Sequence, residues 1–330
     1  MRKSTIKFFV KKTAKIIGII LLLAVLSLAI MPFTSNISRT GGDEITTVSA
    51  DTMLISAHRA GGSLAPENTM YAMELCLETT DYFVDILEFD LHMTADGKLI
   101  VLHDDTFDRT SDVELIYGEE ILVSELTYEE LLVLNVGYDF VDEDGNYPYR
   151  EEGADLSKVR VVLLEEVLEY VESYCTANNR TIEYVIEIKD GDELGERAAD
   201  ELYRIMNEYD TLDRTAVGTF EGNVTAYLDE AYPDITRSAG VTEFLTFYMC
   251  FLYNVDLSNV TLNYSKIMAP YDQYVINFGT AAFIDYAHKY GIEMQYWTIN
   301  DPEKVLELYE NGADVVMTDD PQMAYDVVYN

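Results

Sequence analysis

The stretch "ILEFDLHMTADGKLIVLHDDT", residues 86–106, sets the problem for the whole chain. Side chains of an extended strand alternate between its two faces. Leu87, Phe89, Leu91 and Met93 then share one wholly apolar face, and Glu88, Asp90 and His92 share the other with Ile86. An E-x-D pair of this kind reads either as the wet side of a one-sided sheet or as a functional cluster. In a parallel sheet covered on both sides, inward charges need partners. Two carboxylates one pleat apart at a strand's C-terminal end can then share a divalent cation, Ca²⁺ or Mg²⁺, both of which prefer oxygen ligands.

The rest of the chain supports the covered sheet. Strand-like runs at 53–58, 86–92, 99–103, 182–188, 215–220, 235–239, 266–269, 292–299 and 314–318 alternate with helix-like stretches. The helical spacing is clear in "LLEEVLEYVESYCTANN", at 193–209, at 278–290 and at 302–310, while "PENTMYAMELCLE" reads as a helix opening at Pro66. Such alternation over some 280 residues predicts a parallel α/β architecture. Neither GxGxxG nor a P-loop follows a strand, so the usual signatures of open nucleotide-binding sheets are missing. A closed TIM (β/α)8 barrel fits, with polar residues at strand ends. Residues 105–160 break the rhythm, and acidic, turn-rich 139–157 reads as a lid-like excursion near the barrel mouth.

Composition narrows the partners. Residues 1–33 hold six of the 22 basic residues and none of the 60 acids, so the remainder carries 16 basic residues and a formal charge of −44. That body repels nucleic acid and anionic surfaces. An anionic substrate therefore needs a local positive centre, either a metal ion or placed Arg and Lys. The 18 uncharged residues 16–33 ("IIGIILLLAVLSLAIMPF"), preceded by cations, predict an uncleaved transmembrane anchor with a cytoplasmic N-terminus and an extracellular body. Residues 34–51 read as a linker and 52–330 as the barrel. Cys76, Cys175 and Cys250 are widely spaced, which predicts buried free thiols and neither a disulfide framework nor zinc.

Four histidines are present. His58 and His103 close strand candidates, where proton exchange near neutral pH is the alternative to a structural role. His92 follows the E-x-D pair, and His288 reads as a surface residue late on a helix, favoured by its dipole. In "YVIEIKD", Glu187 and Lys189 share a face, as an ordinary ion pair or as a third cation ligand beside a phosphate contact. Arg59 is a second candidate phosphate clamp, and Trp297, the only Trp, a candidate pocket wall.

"AHRAGGSLAPENT", "LEFDLHMTADGKLIVLHDDTFDRT", "LLEEVL", "IEIK", "YWTIN" and "GADVVMTDDP", in this order, resemble the glycerophosphodiester phosphodiesterases from about residue 54 to 325. The resemblance implies a TIM barrel with one divalent cation, hydrolysing glycerophosphodiesters to sn-glycerol 3-phosphate and an alcohol. It implies His58 and His103 as the acid/base pair and Glu88, Asp90 and Glu187 as metal ligands. Arg59 and Lys189 become phosphate contacts, Trp297 a pocket aromatic, Glu67 a supporting residue and His92 a pocket residue. The family's H-R-G is here His58-Arg59-Ala60, which shifts the first loop. Two other readings stay open. One is a phospholipase D-like or phosphatidylinositol-specific lipase, which would use an apolar rim such as Tyr-rich 244–274. The other is a silent barrel that only binds glycerol-phosphate polymers. No protein partner is signalled.

Overall fold

The computed structural model describes residues 52–273 and 275–330. The expected anchor and linker lie outside the described residues, among which no helix is long and apolar enough to cross a membrane. The parallel strands are β1 (Leu54–Ala57), β2 (Ile86–Met93), β3 (Glu183–Ile188), β4 (Thr215–Gly218), β5 (Thr236–Arg237), β6 (Lys266–Pro270), β7 (Glu293–Trp297) and β8 (Val315–Thr318). Sequence neighbours are sheet neighbours from β1 to β5 and from β6 to β8, and β1 pairs with β8 in the register Leu54↔Val315. A parallel bridge from Ser238 to Lys266, with the Ala239 N–H donating to the Lys266 carbonyl at 2.8 Å, joins β5 to β6 and closes the cylinder.

Each strand is followed by a helix: α1 (Met70–Glu78), α2 (Leu164–Asn178), α3 (Asp192–Glu208), α4 (Gly222–Ala231), α5 (Val241–Leu252), α6 (Ala281–Lys289), α7 (Pro302–Glu310) and α8 (Pro321–Tyr329). Helices α7 and α8 open on Asp-Pro, the aspartate accepting a backbone N–H and the proline standing where no intrahelical donor is needed. This is the expected (β/α)8 order. Along β2 every residue is buried. Leu87, Phe89 and Leu91 join the core beneath the helices, while Ile86 packs with Val185, Ala216, Val315 and Met317 inside the barrel. The polar face of β2 therefore points into the barrel, not into solvent.

Four local expectations change. The run at 99–103 is not a barrel strand: Leu99–Val101 folds back antiparallel on β2, pairing His92 with Ile100. Five residues, "TADGK", separate the two, too few for the dozen or more that a parallel crossover needs. Gly97, at φ +79°, makes the reversal. Helix α1 starts at Met70, not Pro66, because Thr69 Oγ1 caps it by accepting from Ala72 N–H. The excursion after β2 is more than a lid: Ile100, Leu102, Phe107, Val113, Leu131 and Leu134 form a second apolar core with their neighbours. The Tyr- and Phe-rich segment from 244 is packed rather than rimming the mouth, since Phe247 and Tyr248 meet Phe283 of α6. All three cysteines are free, with Cys76 and Cys175 buried and Cys250 half-buried.

His288 is also not a surface residue. Its Nε2 lies 2.8 Å from Asp314 Oδ2, an oxygen that also accepts the Met294 N–H at 2.7 Å, so the pair ties α6 to the starts of β7 and β8. The Asp314 hydrogen bond outweighs burial and raises the imidazole above 6.5. A raised folded-state value stabilises fully below the unfolded value and less as pH climbs through the raised one. His288→Gln should therefore lose about 1–2 kcal/mol in urea unfolding near pH 6. The gap to wild type should shrink toward pH 9, and a pH-independent gap would refute the tie.

Candidate active site

The mouth is built on β2 and β3. Asp90 is registered beside Glu187, and Glu88 lies one pleat below Asp90 on the same inward face. Glu88, Asp90 and Glu187 each offer a carboxylate oxygen within 4.8 Å of the others, the one such group of three among the described residues. Glu88 and Asp90 are buried, at 3% and 1% exposure. Lys189 Nζ spans two of them, 2.9 Å from Asp90 Oδ1 and 2.8 Å from Glu187 Oε1.

The charges are in conflict. Burial, then the Asp90 charge, pushes the Glu88 carboxyl up to about 8. Burial also raises Glu187, against the pull of Lys189. For Asp90, burial is outweighed by the charges of Lys189, His103 and Arg59, which hold it below the ordinary range. Two like charges about 4–5 Å apart at an effective dielectric near 20 repel by roughly 3–4 kcal/mol. Lys189 pairs with Asp90 and Glu187 but not with Glu88, which accepts the Arg59 backbone N–H, whereas a divalent cation would meet all three carboxylates. The donors are all hard oxygens, which suits Ca²⁺ or Mg²⁺ and not a thiolate- or imidazole-seeking metal.

Both sequence-selected histidines reach this cluster by different routes. His58 follows β1 directly, and its Nδ1 sits 2.6 Å from Asp319 Oδ1, just beyond β8. His103 returns with the antiparallel hairpin, where Leu102 N–H donates to the Asp90 carbonyl at 3.0 Å, and its Nδ1 sits 2.7 Å from Asp104 Oδ1. With Nδ1 engaged on a carboxylate, Nε2 of each ring is the nitrogen available for proton exchange. Burial pulls the His58 imidazole down, but the Glu88 charge and the Asp319 hydrogen bond outweigh it and raise the ring above 6.5.

The supporting residues fall into place around them. Arg59 donates its backbone N–H to Glu88 Oε2 at 2.8 Å and its Nη1 to Glu67 Oε1 at 3.1 Å. It does so with φ +50°, and Ala60 follows at φ +59°, a conformation costing an L residue about 1–2 kcal/mol. Trp297 ends β7, its ring in edge contact with Phe220 at 6.0 Å. His92 is buried, with Nδ1 on Asp190 Oδ1 at 2.8 Å and Nε2 facing the His103 carbonyl at 3.4 Å, contacts that tie it to the loop carrying His103.

Sequence reasoning passed over Asp319, Asp104, Asp190, Asn68 and Arg109. The doublets "HDD" and "TDD" carried a signal, but spacing alone cannot tell which acid meets a histidine. Asn68 donates to Asp90 Oδ2 at 3.2 Å, and its Oδ1 is buried with no hydrogen-bond partner, as is Arg59 Nε, which lies 3.9 Å from Asp90 Oδ2. Ca²⁺ or Mg²⁺ at 100 times its dissociation constant should stabilise the chain by about 2.7 kcal/mol, read as a rise in melting temperature. Asp90→Asn should lose most of that rise, and an undiminished rise would place the ion elsewhere.

Known proteins share this architecture. A glycerophosphodiester phosphodiesterase of Caldanaerobacter subterraneus is 26% identical over 83% of this chain and 97% of its own. One of Bacillus altitudinis is 27% identical over 82% and 96%. Among solved structures, an Oleispira antarctica phosphodiesterase in complex with the product sn-glycerol-3-phosphate superposes with a TM-score of 0.63 at 18% identity, covering 84% of this chain and 97% of that one. A glycerophosphodiester phosphodiesterase of Agrobacterium tumefaciens gives 0.60 at 21%, covering 83% and 99%. The profile of the glycerophosphoryl diester phosphodiesterase family matches residues 58–323, from His58 after β1 to the last helix, and the chain belongs to that family.

Proposed function

We propose that this chain is a cation-dependent phosphodiesterase that hydrolyses glycerophosphodiesters to sn-glycerol 3-phosphate and an alcohol. The observation that carries the reading is the juxtaposition of two carboxylate-held histidines with one buried three-carboxylate cluster. The His58 charge acts on Glu88, and the His103 charge on Asp90 and Glu187.

A Ca²⁺ or Mg²⁺ ion on Glu88, Asp90 and Glu187 would offset the diester's charge and polarise its phosphorus–oxygen bonds. Arg59 and Lys189 contact the non-bridging oxygens, where charge gathers as the nucleophile adds. One histidine takes the proton of the nucleophile, which is either water, giving glycerol 3-phosphate directly, or the glycerol's neighbouring hydroxyl, giving a cyclic phosphate that water then opens to glycerol 3-phosphate. The other gives a proton to the departing alcohol oxygen as its bond to phosphorus breaks. Asp319 and Asp104 hold the rings during both transfers. The basic and then apolar N-terminus supports anchoring of the enzyme outside the cell. There its substrates would be deacylated phospholipids or glycerol-phosphate polymers of the envelope.

A second reading has one specific support. Phe220, 55% exposed, leans on Trp297 and makes one side of the mouth apolar. A human lysophospholipase D is 23% identical over 81% of this chain and 82% of its own. One assay tests both readings: glycerol 3-phosphate release from glycerophosphocholine, and choline release from lysophosphatidylcholine, each with and without chelator. The account expects the first reaction to dominate, to stop with chelator and to fall about 10²–10⁴-fold in His103→Ala. Dominance of the second reaction would favour the lipase, and full activity in the variant would sink the mechanism.

A further inference from the structure

The two histidines are not equally well founded. His58 follows a barrel strand, and its partner Asp319 is braced by Asn300, whose Nδ2 donates to Asp319 Oδ2 at 2.6 Å and whose Oδ1 accepts the Asp319 N–H at 2.9 Å. His103 stands in the loop beyond the antiparallel strand, its side chain 30% exposed, and no barrel ladder fixes its ring. Its support comes from another direction. Asp104 Oδ1 takes the His103 ring, and Asp104 Oδ2 accepts Nε of Arg109 at 2.5 Å. The other two nitrogens of the same guanidinium reach across to the loop after β1, Nη1 to Glu67 Oε2 at 2.8 Å and Nη2 to Glu67 Oε1 at 2.6 Å. Glu67 Oε1 also accepts from Arg59 Nη1. An unbroken chain therefore runs His103–Asp104–Arg109–Glu67–Arg59, from the excursion after β2 to the phosphate side of the mouth.

We infer that Arg109 is a positioning residue for the reaction, a clamp that locks the Asp104–His103 pair to Glu67 and so fixes His103 relative to Arg59. The guanidinium suits the task because it grips one carboxylate with two parallel bonds and a second with its remaining nitrogen. A lysine ammonium, as a point charge, has no such fork. The clamp also keeps the chain neutral, with two guanidinium groups against two carboxylates. Without Arg109, Asp104 and Glu67 lose the fork that joins them. An ordinary exposed ion pair of this kind would contribute little to folding and nothing specific to turnover, and that is the reading the test must separate.

The inference rests on His103 acting in catalysis, so His103→Ala is run alongside. In the full chain, Arg109→Ala should lower kcat for glycerophosphocholine about 10–100-fold. KM should change less than about threefold and the cation-induced rise in melting temperature should persist, because the clamp touches neither ligand set nor substrate. Arg109→Lys should recover little, whereas guanidinium at tens of millimolar should restore part of the Arg109→Ala rate and none of the His103→Ala rate. Wild-type kcat in Arg109→Ala overturns the inference, as does a loss shared equally by kcat and cation stabilisation, which would mark a general structural role. If His103→Ala itself retains activity, the functional reading fails rather than the clamp.

Discussion

Three carboxylates held within 4.8 Å of one another at the mouth of a closed barrel cannot all stay ionised unaided. Three pairwise repulsions of roughly 3–4 kcal/mol approach the entire net stability of a folded domain, about 5–15 kcal/mol. Lys189 relieves part of this at Asp90 and Glu187, while burial and then the Asp90 charge push Glu88 up to about 8. The site therefore calls for further positive charge, and a divalent cation would supply it with the oxygen ligands already in place. The same charge answers a larger problem, since a body with a formal charge of −44 must otherwise repel a phosphodiester.

Much of this was legible in the chain because β2 obeys a strict period of two. Alternation placed Glu88 and Asp90 opposite Leu87, Phe89 and Leu91, and a covered parallel sheet leaves only the barrel interior for them. The same reasoning carried over to Glu187 and Lys189 on β3. It failed where chain reversal, not periodicity, sets position. His103 looked like the end of another barrel strand, yet it reaches Asp90 through a hairpin whose brevity was visible in "TADGK". Asp319 meets His58 across 261 positions and Arg109 meets Glu67 across 42, which no local pattern encodes, while Asp104 adjoins His103 but is not told from Asp105 by spacing. His288 resembled a helix-end surface residue because its partner Asp314 lies 26 positions away on another element.

The excursion after β2 gains a role from this arrangement. It carries its own apolar core, which makes it a rigid platform instead of a loose lid. His103 and Arg109 both belong to it, while Glu67 and Arg59 belong to the first barrel loop. The candidate site is thus assembled where this packed excursion meets the barrel, through the antiparallel ladder on β2 and the Arg109–Glu67 ion pair. His92 contributes from below, pinned to Asp190 and facing the His103 carbonyl. Its place beside the acids in the sequence reflects architecture and not ligation.

The central claim is that the three carboxylates hold one cation that receives the phosphodiester. A crystal structure grown with Ca²⁺ and glycerol 3-phosphate tests it most directly. The account predicts one ion about 2.3–2.6 Å from oxygens of Glu88, Asp90 and Glu187, with a phosphate oxygen completing its shell. A phosphate bound by Arg59 and Lys189 with no ion on the carboxylates, or an ion ligated by His58 or His103, would contradict it.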